Sequence, residues 1–365
     1  MGSIISAIGT ATPDHCFAQH DILKFMVGAH RLNSADTGRL KKLYDLSGIN
    51  YRHSVIEDFG LPAGKYAFFG NGDALEPFPD TRQRGDLYQE HAWKVAFRAA
   101  NNLLSKTRLA PEDISHLITV SCTGMYAPGL DIDMVENLGL KYDVERTCIN
   151  FMGCYGAFNA LKTADYICRA RPEAKVLIVD VELCTLHFQR ESTLNNWIAN
   201  SLFSDGAAAV LVESSFDRST DNGLSLENFY NTLALDSKSE MGWYIGNTGY
   251  EMILSSQVAK RIKGKIKAVT SRLLEQTRLH IHQIAHFAIH PGGRRILEVC
   301  EEELELPEES LEASYDVLKD FGNMSSATVL FVLKDILSKA DKGEKTMSFA
   351  FGPGLTIESM VLQAV

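Results

Sequence analysis

The feature that most restricts the fold is an alternation of short apolar runs with long amphipathic stretches, and it occurs twice. In the first half, runs at 116–120, 146–150, 175–181 and 207–212 are apolar and bounded by turns or helical stretches, the pattern of buried strands. Between 84 and 106 one face recurs at helical spacing through Leu87, His91, Val95, Ala99 and Leu103. The second half repeats the plan with a long amphipathic helix at 251–279, a strand at 286–290, a helix at 325–339 and a strand at 347–351. Two correspondences argue for duplication. A helix starting at Cys154 leads to the strand from Lys175, and one starting near Ser325 leads to the strand from Lys345, each after about twenty residues. The run from His116 ends in a Cys-Thr-Gly turn, and the run from His286 ends in a Pro-Gly-Gly turn.

That period is far too long for a solenoid, and 365 residues exceed what one core usually supports. Two fused α/β halves, 1–220 and 221–365, are expected, with helices layered on sheets and a site where their strand ends meet. Residues 1–55 read as a strand and two helical stretches, around 21–27 and 38–46. Residues 56–82, rich in Gly, Pro and aromatics, read as a long loop.

Composition excludes several classes. With 45% hydrophobic and 22% charged residues the chain is ordinary globular material, and no apolar run reaches the ~20 residues of a membrane helix. The first residues read as a strand and not as a signal peptide. Met1-Gly2 with Ser6 fits the minimal myristoylation pattern, but in a segment of buried-strand character. Seven cysteines without CxxC spacing point to reduced thiols in a cytoplasmic protein, not to a disulfide framework or structural zinc. A net charge of −10 disfavours nucleic acid, yet leaves room for a small anionic substrate at a local basic mouth.

Three residues carry chemistry as a set. Cys154, in Asn150-Phe-Met-Gly-Cys-Tyr-Gly-Ala, stands at a strand-to-helix turn, where unpaired N–H groups and the helix dipole favour thiolate. Cys148, Cys168 and Cys300, on strand or helix faces, suit a buried structural role. His290 ends an apolar strand before Pro291-Gly292-Gly293. Asn323, in Phe321-Gly-Asn-Met-Ser-Ser, precedes a helix, where Asn is also a common cap. Cys, His and Asn in this order, with His 136 positions after Cys, occur in papain-like proteases. Those enzymes place the Cys near the N-terminus of a disulfide-bearing chain, and the duplicated plan disagrees. The other use is thioester condensation: a thiolate carries an acyl group while His and Asn stabilise an enolate.

The segment around Cys154, His290-Pro-Gly-Gly, Gly322-Asn-Met-Ser-Ser-Ala and Phe351-Gly-Pro-Gly-Leu-Thr resemble the type III polyketide synthases, the chalcone synthase-like family. Ile8-Gly-Thr-Ala-Thr-Pro and Phe203-Ser-Asp-Gly-Ala-Ala-Ala are similar to it as well, so the resemblance runs along nearly the whole chain. The region from Phe78 to Arg84 is closer to bacterial than to plant members. The resemblance implies a five-layered αβαβα thiolase fold and a homodimer. It implies malonyl-CoA and an acyl-CoA starter as substrates, and neither a metal nor a redox cofactor. Cys154 would be the acylated nucleophile, with His290 and Asn323 serving decarboxylation and the enolate. Phe203 and Tyr250 would gate the cavity, and Thr123, Ser325 and the loop Gly352, Pro353, Gly354 would line it.

Departures from the family pattern point to a different product range. Its three basic mouth residues fall here on Arg39, Lys42 and Leu46, with Arg294 and Arg295 as replacements for the lost charge at coenzyme A. Cavity threonines fall on Cys122, Cys184 and His187, and a cavity methionine on Ala127, which would open space that His187 fills. His280, His282 and His286 lack a matching carboxylate or Cys for a metal, and Asp131 with Asp133 suits a helix start. Two rivals remain: a ketoacyl synthase III-like enzyme making one extension, with a carrier protein in place of coenzyme A, and a catalytically silent thiolase-fold binding protein.

Overall fold

A computed structural model describes residues 2–215 and 222–365; the expected boundary at 220/221 lies outside the described residues. Nine strands form a continuous sheet. Their order is Ile284–Ile289, Lys345–Gly352, Thr356–Ala364, Leu224–Leu233, Ser3–Ala11, Asp205–Ser214, Lys175–Leu183, His116–Ser121 and Glu145–Asn150. From Ser3–Ala11 outwards the pairings run antiparallel, antiparallel, parallel. From Leu224–Leu233 outwards they run in the same order. The strand plan is thus duplicated, and the two copies join where Ser3, Ile4 and Ile5 pair with Leu226, Ser225 and Leu224.

Period-two alternation explains why the strands are apolar throughout. Along Lys175–Leu183, Leu177, Val179 and Val181 face one apolar cluster, while Val176 and Ile178 face another. A strand buried on both faces needs apolar residues at every position. The first cluster lies under the helix Thr81–Leu104, through Val95, Ala99 and Leu103. The second lies around the helices Gly156–Ala170 and Thr328–Lys339, through Phe158, Leu161, Leu330 and Leu333. The third lies under Val258–Thr277, through Ile262, Ile266 and Val269 against Phe349 and Val361. Two sheet copies with a helical layer between them and one outside each make five layers.

The central helices bury apolar residues against the sheets, Phe158, Ala160, Leu161 and Ala164 on one and Val329 to Leu333 on the other. Truncating Phe158, fully buried between the sheets, would cost about 3–5 kcal/mol. Most expected elements stand within a few residues of their places. One does not: residues 251–254 belong to the strand Gly249–Leu254, which pairs with Met241–Gly246, and the helix begins only at Val258. Cross-strand partners outside the window overrode its helical spacing. Residues 56–80 hold only two short 3₁₀ turns, and the helix Thr81–Leu104 begins within the last two residues of the expected loop. That loop is fastened by the buried Asp58, whose carboxylate accepts the N–H groups of Ala67, Phe68 and Phe69.

Candidate active site

The nucleophile candidate sits in a sharp turn between the strand Glu145–Asn150 and the helix Gly156–Ala170. Phe151 and Gly153 take positive φ angles of 62° and 80° to make it. A Cβ on Gly153 would also stand 2.5 Å from Cδ of Pro353, so only glycine suits. Gly352 is equally close-packed, its missing Cβ position lying 2.5 Å from the Tyr155 ring. The loop from Gly352 therefore presses directly on the Cys154 turn. Gly354 lies farther along, over Thr356.

A chain of contacts joins the three candidate groups. Ser325 Oγ donates to Cys154 Sγ at 3.7 Å. Ser325 N–H donates to Asn323 Oδ1 at 2.9 Å, and Asn323 Nδ2 donates to the Gly292 carbonyl at 3.1 Å. Gly292 is in the turn that follows His290, which itself caps the strand Ile284–Ile289 through its N–H to the Phe349 carbonyl. The amide of Asn323 retains a second N–H. His290 is 1% exposed, and among the described residues neither ring nitrogen has a hydrogen-bond partner. A buried imidazole left unmatched is costly, and such orphans suit sites where substrate supplies the partner.

Ionisation differs from the sequence-based expectation. Burial pushes the Cys154 thiol up to about 12, outweighing the bond from Ser325, and burial holds His290 down at about 3. Without substrate, burial favours the neutral thiol and the neutral imidazole. Desolvation of an enclosed sulfur opposes the thiolate that a helix terminus favours.

The wall on the first-half side is densely bonded. Glu182 accepts from Cys122 N–H at 3.0 Å, Thr123 Oγ1 at 2.7 Å, Ser326 Oγ at 2.8 Å and Cys122 Sγ at 3.1 Å. Cys122 Sγ also lies 3.2 Å from Ser325 Oγ. Ser326 Oγ reaches Asp180 Oδ1 at 2.8 Å as well. Burial raises both carboxyls, the Glu182 charge raises Asp180 further, and the bonds from Thr123, Cys122 and Ser326 offset part of the rise at Glu182. Glu182, Asp180 and Ser326 were missed in the sequence, although two acids at i, i+2 inside an apolar strand were a visible signal.

Beyond this wall His187 stacks flat on Tyr250, with centroids 4.1 Å apart, and Trp243 meets both edge-on. His187 Nδ1 accepts the Tyr250 N–H at 3.0 Å, so Nε2 carries the proton and donates to the Thr123 carbonyl at 2.6 Å. Burial lowers this imidazole to about 3. Cys184, His187, Phe203, Trp243 and Arg52 border a cavity of about 40 Å³, which neither Cys154 nor His290 borders. Ala127 is exposed on the surface of the single chain and does not border this cavity.

The proposed mouth residues are all exposed. Arg39 pairs with Asp36. Arg294, at the first position of the helix Arg294–Leu304, packs beside Gly48, just past the end of the helix Ser34–Leu46 that carries Arg39 and Lys42. Its Nε donates to Glu298, and Arg295 is held by Glu298 and Glu302. Exposed pairs of this kind are worth about 0–1 kcal/mol, little hindrance to a phosphate. Other motifs find local roles. His286 binds Glu344, His280 stacks on His282, Asp131 takes Arg146, and Asp133 accepts from Tyr126. Cys168 and Cys300 are buried, but Cys148 is exposed on the edge strand, contrary to its expected role.

Comparison with known proteins adds a family. The description "Chalcone and stilbene synthases, N-terminal domain" matches residues 2–215, and its C-terminal counterpart matches 228–365. The chain is 29% identical to an "Alpha-pyrone synthesis polyketide synthase-like Pks18" of Mycobacterium tuberculosis, covering 100% of this chain and 91% of that one. It is 29% identical to a 1,3,6,8-tetrahydroxynaphthalene synthase of Streptomyces peucetius subsp. caesius, covering 99% and 93%. Among solved structures, PKS-I of the brown alga Ectocarpus siliculosus superposes with a TM-score of 0.92 at 28% identity, covering 100% and 98%. The C-terminal type III domain of Steely1 from Dictyostelium does so with a TM-score of 0.92 at 25% identity, covering 100% of both. With both halves matched and a five-layered fold shared end to end, the chain belongs to the chalcone and stilbene synthase family and is a type III polyketide synthase, an acyl-transferring condensing enzyme.

Proposed function

We propose that the chain extends an acyl-CoA starter, held on Cys154, by repeated decarboxylative condensation with malonyl-CoA, then cyclises the product to a pyrone, resorcinol or phloroglucinol. The observation that carries this reading is the contact chain from Cys154 through Ser325 and Asn323 to the turn after an unpartnered, buried His290. In the loading step Cys154 gives its proton to His290, and the sulfur attacks the starter carbonyl. The coenzyme A thiolate leaves and takes that proton. The extender thioester oxygen then accepts from His290 and the second Nδ2–H of Asn323. Loss of CO₂ leaves the electron pair in an enolate that these neutral donors stabilise. The enolate attacks the acyl-cysteine carbonyl, and the Cys154 thiolate departs ready to reload.

Arg39, Lys42 and Arg294 would meet the coenzyme A phosphates, with Arg295 beside them. Phe203 would gate the cavity, with Tyr250 behind His187. The exposed edge strand Glu145–Asn150 is the natural seam of a homodimer, since an unpaired edge recruits another strand. Seven free thiols suit the cytoplasm, and no described helix is long and apolar enough to cross a membrane.

The test is incubation with malonyl-CoA and acyl-CoA starters of graded length, read by mass spectrometry beside Cys154→Ala. Cyclised products that vanish in the variant are expected. A single extension, or turnover only with a carrier protein, would favour a ketoacyl synthase III-like enzyme. No acyl label on Cys154 would leave a silent binding protein.

A further inference from the structure

The gate candidate and the candidate oxyanion donor are parts of one backbone unit. Phe203 and Asn323 form an isolated parallel bridge. Asn323 N–H donates to the Leu202 carbonyl and Ser204 N–H to the Asn323 carbonyl, both at 2.9 Å. Any shift of residues 202–204 therefore moves Asn323.

That unit is gripped from outside by one side chain. Arg52, 3% exposed, comes from the short strand Tyr51–Ser54. Its Nη1 donates to the carbonyls of Asn200 at 2.7 Å and Phe203 at 2.9 Å, and its Nε donates to Gln19 Oε1 at 2.8 Å. Gln19 Nε2 in turn holds the Ser201 carbonyl at 2.8 Å, and Tyr44 Oη donates to the Asn200 carbonyl at 3.0 Å. These carbonyls end the helix Leu194–Leu202, where unpaired acceptors and the dipole favour a cation. The stem of Arg52 also touches the turn before Asn323. A Cβ on Gly322, whose φ is 70°, would lie 3.0 Å from Arg52 Cγ. Burying a guanidinium is expensive, and here it serves the Asn200 and Phe203 carbonyls directly and that of Ser201 through Gln19, with no carboxylate hydrogen-bonded to it among the described residues.

We propose that Arg52 is a positioning residue for decarboxylation: by clamping the Asn200 and Phe203 carbonyls, it sets where the Phe203–Asn323 bridge places the Asn323 amide. The proposal rests on the condensing role of Asn323 given above. It does not involve loading, which needs Cys154 and His290. Tyr44 lies on the helix that carries Arg39 and Lys42, so the clamp also ties the proposed coenzyme A mouth to the gate.

The experiment measures two rates for each variant, acyl transfer from a starter to Cys154 and CO₂ release from malonyl-CoA, the latter divided by the amount of acylatable Cys154. Arg52→Lys keeps a cation but loses the fork that reaches two carbonyls and Gln19 together. Its per-site CO₂ release is expected to fall about tenfold in kcat, with KM for malonyl-CoA little changed, because sub-ångström misplacement of a donor is enough. Its loading rate should stay within about threefold. Tyr44→Phe, which removes one hydroxyl, should lower the same kcat by about twofold to threefold and decides the matter alone if Arg52→Lys does not fold. A purely structural Arg52 would reduce the acylatable fraction and leave per-site CO₂ release unchanged, and that result overturns the proposal. Failure of the wild type to release CO₂ overturns the condensing reading as well, so the two failures are distinct.

Discussion

The two copies of the strand plan meet at the site with opposite chemistry. His116 pairs with Val176, the residue after Lys175, and His286 pairs with Thr346, the residue after Lys345. By that register Asp180 corresponds to Ala350, and Glu182 to Gly352. In the first copy Glu182 gathers the donors of the turn beyond the strand tip, so Cys122 and Thr123 are locked in place, while Asp180 holds Ser326. In the second copy two small residues stand there, the tip is held by the Asn323 amide at the Gly292 carbonyl, and among the described residues neither ring nitrogen of His290 has a hydrogen-bond partner. Duplication supplied one scaffold twice. The copy that carries carboxylates forms a bonded wall, and the copy with small residues in their place presents the imidazole without a hydrogen-bond partner among the described residues.

The largest break in this contrast is removal of the free group itself. His290→Ala should lower malonyl-CoA decarboxylation by about 10²–10³ with little loss of fold, measured by CO₂ release and circular dichroism. Stability unaffected but activity retained would move the role elsewhere. Next comes Gly352→Ala, a first step towards the bulk that the other copy carries. Its Cβ would stand 2.5 Å from the Tyr155 ring, so a loss of about 1–3 kcal/mol is expected in urea unfolding. At the locked wall, His187→Ala should join the neighbouring cavity of about 40 Å³ to the Cys154 side. Preference among starters, read as a ratio of kcat/KM, should shift towards longer chains by about tenfold.

The smallest effect is a pH slope. Burial holds His187 and His290 at about 3 in the folded chain, below the ~6.5 of an exposed histidine. Each therefore contributes stability that is fully present above pH ~6.5 and is lost as pH falls towards 3, at no more than about 1.4 kcal/mol per unit. His290→Gln should remove its share of that acid limb. The raised Asp180 and Glu182 act in the other sense: their contribution is present below the ordinary carboxylate range and declines as pH rises through their elevated folded values. Asp180→Asn should flatten that decline, as denaturant titrations across pH would show.

Much of this was legible in the sequence because it is local. Apolar alternation, two residues long in strands and near four in helices, marks burial whatever the partner. Positive-φ glycines beside Cys154 and Asn323 mark turns for the same reason. The hairpin at 241–254 was not legible, since residues 251–254 carry helical spacing and become strand only against Tyr244 and its neighbours. Ala127, a cavity position by resemblance, is exposed in the single chain, and its surroundings in an assembly are not written in its sequence.

What the sequence by itself determined was the two-copy α/β plan, the placement of Cys154, His290 and Asn323 at element ends, and the thioester chemistry such a set can perform. Only the tertiary structure decided their ionisation, since desolvation depends on everything packed around a group. It also revealed Glu182 and Arg52, whose partners lie 33 to 151 residues away along the chain. A contact between distant segments leaves no periodic mark on either one.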